Sequence, residues 1–571
     1  MSARRSAEPR PAATVVLLRD GPAGVEAMLL KRSAESAFLP NAHVFPGGAV
    51  EAQDREARAL ARVRGLDDAE ASARLGIGAG GLAYWFAAAR ECFEEAGILV
   101  ACDRSGRAVA PERVGRLEAL RPALARGERR FLDLLEAEDL YVPADELVYF
   151  AHWITAAGRP RRFNTRFFVA AAPPGQTGGH DRAETVASLW IAPREALEAH
   201  ERGQIEIIFP TRTTLADFAR FTTVQAALAH ARSLEEVEVN AAVWAVDAEG
   251  TKRLFRRSDP PYFEIHWSDP LETGETCYVI RPGIPKQLDR YVTRLTAPNP
   301  GVMTGPGTNS YLVGTDELVV IDPGPPIDVH LEALLAAAGG RPIRWILVTH
   351  THPDHSPAAA LLAARTGATV IGRPRPEHGV QDHSFEPAHV PEDGERLVLG
   401  GVTLRAVATP GHASNHLCYL LEETGMLFTG DHVMQGSTVV INPPDGEMAA
   451  YLASLDKIAR LEAAILAPGH GYLIGAPAKE VKRLFVHRRM REQKVLAALT
   501  RLPAPTLEEL VAVVYDDVHP RVHPVAARSL LAHLEKLRAE GRVLALAGRY
   551  ALAPAAVAEG ESRDGPPPVP L

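Results

Sequence analysis

The sequence predicts an α/β protein made of two fused sandwich domains followed by a small helical module. Three observations point that way. Residues 11 to about 230 alternate strand-like runs (ATVVLL, VEAMLLKR, RFFVAAAP, ASLWIAP) with helix-like ones. A second alternation starts near Val292, where NSYLVG, ELVVID and WILVTH precede helix-like PAAALLAART. From Ala478 the chain turns helical and basic. Strands and helices in alternation bury the faces of a sheet under helices, which is the layered α/β arrangement. A chain of 571 residues, at roughly 100–200 residues per domain, has room for three or more domains.

Taken in order, residues 10–230 form the first domain, with a charged, helical insertion at 55–89. Its clearest helix is YWFAAARECFEEAG, with Gly97 as the stop. Residues 231–287 are an extension in which VNAAVWAV, YFEIHW and CYVIRP read as short strands. Residues 288–477 form the second domain. Within 478–553, TLEELVAVVY, AARSLLAHLEKLRAEGRV and VLALAGRYAL read as helix, helix and β-hairpin. The tail 554–571, ending ESRDGPPPVPL, reads as disordered. No internal repeat is visible.

Hydrophobic residues make up 46% and charged residues 23%, ordinary values for a globular chain. The net charge of −9 gives no bulk attraction to nucleic acid, so any such contact needs a local patch. Cys92, Cys102, Cys277 and Cys418 are scattered and form no CxxC pair, which suggests a reduced, cytoplasmic chain. The N-terminal MSARRSAEPRPAATVVLL is a poor signal peptide. No apolar run approaches the ~20 residues that span a bilayer, so no membrane partner is expected. Oligomeric state is not legible.

WILVTHTHPDHS carries the most chemistry. WILVT is an apolar strand that runs into His350, His352, Asp354 and His355, with a helix starting near Ser356-Pro357. A loop at a strand end can aim His350 and His352 one way and Asp354 and His355 another, which suits two adjacent cations. His412, Asp431 and His470 each follow a strand-like run and stand directly after a glycine that lets the backbone turn. Five imidazoles and two carboxylates suit zinc, or else manganese or iron. His416 and His432 lie near these residues and read as supporting or structural.

This HxHxDH cluster, followed by separate His, Asp and His, resembles the metallo-β-lactamase superfamily. The resemblance implies an αββα sandwich. In it His350, His352 and His412 hold one metal, Asp354, His355 and His470 hold a second, and Asp431 bridges them. It implies a hydroxide nucleophile between metals ~3.5–4 Å apart, with Asp354 catalytic as well as ligating. NPGVMTGPGTNSYLVG and the stretch to HRRMREQKVLAAL are similar to the β-lactamase-like protein 2 subfamily of single-strand-selective endoribonucleases, over roughly residues 290–550. Glyoxalase-II-type thioesterases share the ligands, so the ligands imply hydrolysis and leave the bond open. The C-terminal module resembles a winged helix. The helix before it carries Lys482, Arg483, His487, Arg488, Arg489, Arg491 and Lys494, which can hold the phosphates of single-stranded RNA. A solvated helix that caps the site is the other reading.

In the first half, FPGGAVEAQD at 45–54 and RECFEEAGI at 90–98 together resemble a Nudix box. Glu91, Glu94 and Glu95 fall on one helix face, where their mutual repulsion calls for a hard cation, magnesium or manganese. Arg90 can orient a carboxylate through its planar fork. The resemblance implies an α/β/α sandwich with Arg90, Glu94 and Glu95 catalytic and the three glutamates ligating. Asp54 stands where the box has Glu, Cys92 where it has a larger aliphatic residue, and 55–89 replaces a seven-residue spacer. A coenzyme A diphosphatase-like Nudix subfamily has such an insertion and is similar in FLPNAHVFPGG, RFNTRFF and HDRAETVASLWIAPREAL, over about residues 10–230. Ala37 and Asn41 replace the Arg and Gly of its signature. Glu184 is a further candidate ligand or base.

Three readings follow. In the first, an RNA-cleaving metallohydrolase stands behind a Nudix diphosphatase that takes a nucleotide or coenzyme A-type molecule. In the second, a thioesterase and a coenzyme A diphosphatase both attack an acyl-CoA. In the third, the Nudix half is a nucleotide-binding module without catalysis.

Overall fold

The computed structural model describes residues 7–22, 24–35, 40–181 and 185–554. Ala37, Glu184 and the tail from residue 555 onward lie outside the described residues. The chain divides into two compact units, Met1–Trp244 with Leu271–Gly274, and Ala245–Pro270 with Glu275–Leu571. The segment read as one extension is thus shared between them.

The first unit is a mixed sheet between two helical layers. Its central strand, Arg10–Gly21, pairs parallel with Phe163–Ala171 and antiparallel with Gly24–Arg32. Side chains alternate across the sheet with period two. Val15 and Leu17 face a core shared with Trp85, Phe86 and Phe93 of the helix Leu82–Ala96. Val16 and Leu18 face the opposite core, under Phe218 and Leu228 of the helices Phe209–Phe218 and Val224–Arg232. The stretch 55–89 is helical in part, with Ala57–Leu60 and Asp68–Leu75, the latter capped by Asp67. Its last eight residues are the opening turns of Leu82–Ala96, so the inserted chain proper ends at Gly81. Asp68 accepts from the backbone N–H of Gly80 and Leu82, which ties the insertion to the start of that helix.

The second unit packs two sheets face to face. One has the order Lys286–Gln287, Val292–Thr296, Asn309–Val313, Leu318–Ile321, Ile343–Leu347, Thr369–Ile371. The other runs Arg396–Leu399, Val402–Ala408, Leu417–Leu421, Met426–Gly430, Ile465–Pro468. Tyr311, Val319, Ile321 and Leu347 meet Leu404, Tyr419, Phe428 and Ala467 between them. The outer faces are covered by Asp328–Ala337 and Ala358–Thr366 on one side and Met448–Ala459 on the other. Both expected sandwiches are therefore present. The long helix Pro477–Arg501 leads to Leu507–Val514, His523–Ala539 and the hairpin Val543–Leu546/Arg549–Leu552, which share one core.

Two strand expectations fail. YFEIHW lies in a helix, Tyr262–Ser268, and CYVIRP contributes only an isolated bridge from Cys277 to Val246. The alternation in YFEIHW misleads because Glu264 is buried, paired with Arg294 and with Lys286 at 2.9 Å. An acid that counts as polar in the pattern is in fact an inward-facing residue. Among the described residues no helix is long and apolar enough to cross a membrane.

Candidate metal centre

Each candidate ligand of the second unit sits just past the C-terminal end of a strand. Ile343–Leu347 delivers His350, His352, Asp354 and His355. Val402–Ala408 delivers His412, Met426–Gly430 delivers Asp431, and Ile465–Pro468 delivers His470. Two of the glycines before them serve different ends. Gly430 has φ +45°, and a Cβ there would fall 2.5 Å from Thr349 Oγ1. At Gly469 the need is room, since a Cβ would fall 2.7 Å from both Asp431 Oδ1 and His355 Cε1.

The ligands gather into two adjoining sets. His350 Nε2 and His412 Nε2 each lie 3.0 Å from His352 Nδ1. Burial, helped by neighbouring imidazoles, holds His350 well below its ordinary pKa and His352 down to about 3. Ring nitrogens that converge this closely make a poor hydrogen-bond group and a good cation cradle. In the second set, His470 Nε2 lies 3.4 Å from Asp354 Oδ2 and 3.3 Å from Asp431 Oδ1. His355 Nε2 lies 3.6 Å from Asp354 and 3.4 Å from Asp431. Asp431 Oδ2 reaches to 3.8 Å from His412 Nε2, so this carboxylate spans both sets. His355 Nε2, Asp431 Oδ1 and His470 Nε2 are buried without a hydrogen-bond partner. Such atoms are costly to bury unless something fills the space between them, and a divalent cation on each set fits these donors. Burial opposes a charge on His355, but Asp354, Asp431 and Asp322 outweigh it and hold its pKa well above the ordinary value. His470 is raised to about 9 against burial by Asp431 and Asp354. The second set thus carries negative charge in excess, which a cation neutralises.

The far nitrogens of the rings are anchored. His355 Nδ1 donates to Asp322 Oδ2 at 2.9 Å, His412 Nδ1 to the carbonyl of Val440 at 2.8 Å and His470 Nδ1 to that of Gly307 at 3.2 Å. These bonds leave Nε2 of each ring free for a metal. Asp322 also accepts from Thr349 N and Oγ1, both at 2.7 Å, and Thr349 Oγ1 lies 3.0 Å from His350 Nδ1. Sequence reasoning missed Asp322. Its signal was an acid closing the strand-like run ELVVID. His416 and His432 are fully buried behind the ligands, His416 stacked 5.0 Å from His350 and His432 packed 4.7 Å from Tyr451.

In the first unit the Nudix-like residues also meet. Arg90 donates to Asp54 through Nε at 2.9 Å and Nη2 at 3.0 Å, and pairs with Glu91 at 2.9 Å and Glu94 at 3.0 Å. Asp54 is shorter than the expected Glu yet receives the whole guanidinium edge. Glu95 accepts from Gly47 N at 2.9 Å, and a Cβ at Gly48 would fall 2.5 Å from Glu91 Oε1. Burial pushes Glu91 up to about 7 although Arg90 opposes it, and raises Glu94 too. These carboxylates lack a full counter-charge, which a hard divalent cation would supply.

The basic helix departs from expectation. Arg488 is buried, with its Nη2 on the carbonyl of Val439. Arg491 is buried against Val514 and pairs with Asp517 at 2.6 Å. Arg483 pairs with Glu480 and Lys494 with Asp516. Burial, with Arg488, lowers half-buried His487 to about 4, so it is neutral. Lys482, Arg483 and Arg489 are the exposed cations of that set, and of these only Arg483 is held in an ion pair among the described residues. The helix packs on both sides, and two of its arginines lie on the packed faces: Arg488 against Val439 and Tyr451, and Arg491 against Val514 and Asp517.

Comparison with known proteins places families along the chain. The metallo-beta-lactamase superfamily matches residues 303–470, the beta-lactamase associated winged helix domain 506–549, and the NUDT19 Nudix domain 66–217. The lactamase-like protein vrtG of Penicillium aethiopicum is 35% identical over 270 residues, 45% of this chain and 84% of that protein. The thioesterase pkgB of Emericella nidulans is 35% identical over 242 residues, 42% of this chain and 67% of that protein. The beta-lactamase-like protein 2 homolog of Caenorhabditis elegans is 31% identical over 265 residues, 45% of this chain and 88% of that protein.

Proposed function

The chain belongs to the metallo-β-lactamase superfamily, with a Nudix-like domain ahead of the metallohydrolase and a winged helix behind it, and from that premise we propose that its metal centre hydrolyses a thioester. The observation that carries this choice is the commitment of the basic helix. With Arg488 and Arg491 buried in the fold, and Arg483 and Lys494 paired at the surface with Glu480 and Asp516, the helix offers an RNA chain fewer unpaired cations to exchange for its counterions than its sequence suggests. A relative named a thioesterase and the coenzyme A-like box of the first unit support the same reading.

His350, His352 and His412 would hold one zinc ion, and Asp354, His355 and His470 the other, with Asp431 between them. Two divalent cations supply polarisation of the carbonyl and a nucleophile from water near neutral pH. The protein's own part is orientation. Asp322 and the carbonyls of Val440 and Gly307 set the ring tautomers. Asp354, with 28% of its side chain exposed, is placed to take up the proton of the attacking water. In the first unit, Glu91, Glu94 and Glu95 would hold magnesium, with Arg90 and Asp54 orienting Glu91 and Glu94, for cleavage of the diphosphate of a coenzyme A-type molecule.

The test is a parallel assay of the full chain on an acyl-CoA thioester and on single-stranded RNA, with Asp431→Ala as the control. Thioester turnover that vanishes in the variant supports the reading. RNA cleavage without thioester turnover would return the site to phosphodiester chemistry and overturn it.

A further inference from the structure

Arg488 has a use that its place in a basic helix does not suggest. Its side chain is 2% exposed, and among the described residues no carboxylate pairs with it. Burying a lone guanidinium is costly, so its remaining contacts bear on what it does. Its Nη2 donates to the carbonyl of Val439, and its guanidinium lies 5.2 Å from the ring centre of Tyr451.

Both contacts lead to His412. The next carbonyl, Val440, accepts from His412 Nδ1 at 2.8 Å. Tyr451 presses so closely on Gly411 that a Cβ there would fall 2.4 Å from Tyr451 Cα. The segment Val439–Ile441 belongs to no helix or strand, so its backbone has no ladder to hold it. From the far side, Ile441 N donates to Ser529 Oγ of the helix His523–Ala539 at 3.4 Å. Val439 and Ile441 are buried with Val481, Leu484 and Ala532 of the same C-terminal helices.

We infer that the C-terminal helices position the first metal set: Arg488, with Ser529, holds Val439–Ile441 so that the Val440 carbonyl fixes the orientation and tautomer of His412. Arg488 is a positioning residue and touches neither metal set. The inference rests on the metal-centre reading and is independent of the substrate.

Metal-free full-length protein would be titrated with Zn²⁺ against a chromogenic chelator, for wild type, Arg488→Met, Arg488→Lys, Ser529→Ala and Arg489→Glu. Wild type with two binding events sets the reference. Arg488→Met should weaken one event about tenfold, the low end of the ~10–100-fold seen for direct outer partners of a ligand, and leave the other within about twofold. Arg488→Lys keeps a donor and should recover most of the loss. Arg489→Glu, on the exposed side, should match wild type. Unchanged binding in Arg488→Met, equal weakening of both events, or an equal loss in Arg489→Glu overturns the inference. If Arg488→Met gives no cooperative melt, Ser529→Ala carries the test: one event weakened with the other unmoved supports the inference, and neither event moved, or both weakened equally, overturns it. Wild type that took up no metal would end the metal-centre reading itself, and this inference with it.

Discussion

Asp431 is the residue on which most converges. One oxygen faces His355 and His470, the other His412, so removing it takes a candidate ligand from both sets. Asp431→Ala should lose both metals and all turnover, read by elemental analysis of dialysed protein alongside the activity assay. Full metal content with normal turnover would exclude the bridging role. Asp322 acts one step back, through His355 Nδ1 and Thr349. Asp322→Asn should retain the fold and weaken the second metal by about 10–100-fold, the usual cost of losing such a partner. A competition titration that shows both metals bound as in wild type would leave Asp322 a merely structural acid.

At the scale of elements, the helix Tyr262–Ser268 is pinned by one buried acid. Burial alone would raise the pKa of Glu264, but Arg294 and Lys286 outweigh it and hold it below the ordinary 4.5. A depressed carboxylate stabilises the fold at neutral pH, and that stability is lost as pH falls below about 4.5 toward the lowered value. Glu264→Gln leaves Arg294 buried without its counter-charge and should cost about 3–5 kcal/mol, seen as a lower melting temperature at pH 7 that converges on wild type in acid. A gap that persisted undiminished in acid would contradict the pairing. The helix Pro477–Arg501 makes a second contrast. Arg491→Glu faces Asp517 and the carbonyl of Val514 and should lower the melting temperature by several degrees, about 1–3 kcal/mol. Arg489→Glu should leave it unchanged. Equal melts would mean that the burial of Arg491 contributes nothing.

For the whole molecule, the two candidate sites present unlike donor groups on separate compact units. Glu94→Gln should therefore abolish magnesium-dependent diphosphate cleavage and leave the histidine-rich site at wild-type rate, while Asp431→Ala does the reverse. Loss of both activities in either variant would reveal coupling. If wild type cleaves no nucleotide or coenzyme A diphosphate with magnesium, the first unit is a binding module.

The sequence by itself determined which residues can meet in each site. HxHxDH at a strand end and three glutamates on one helix face are local patterns, and a strand terminus or a helix turn of known pitch aims them wherever the fold goes. It also determined the order of the sandwiches, because alternating apolar periods are read over short windows. Only the tertiary structure decided the partners brought in from far along the chain. Asp322 reaches His355 from the end of the neighbouring strand, Val440 reaches His412 from an irregular segment, and Glu264 turns inward to meet Arg294. The basic helix shows the reason most clearly. A cation in a sequence is only a cation, and whether it faces solvent or a carbonyl depends on which side of its helix the next domain packs. Arg488 and Arg489 are neighbours in the chain, and packing alone made one a buried strut and the other a solvent-facing charge.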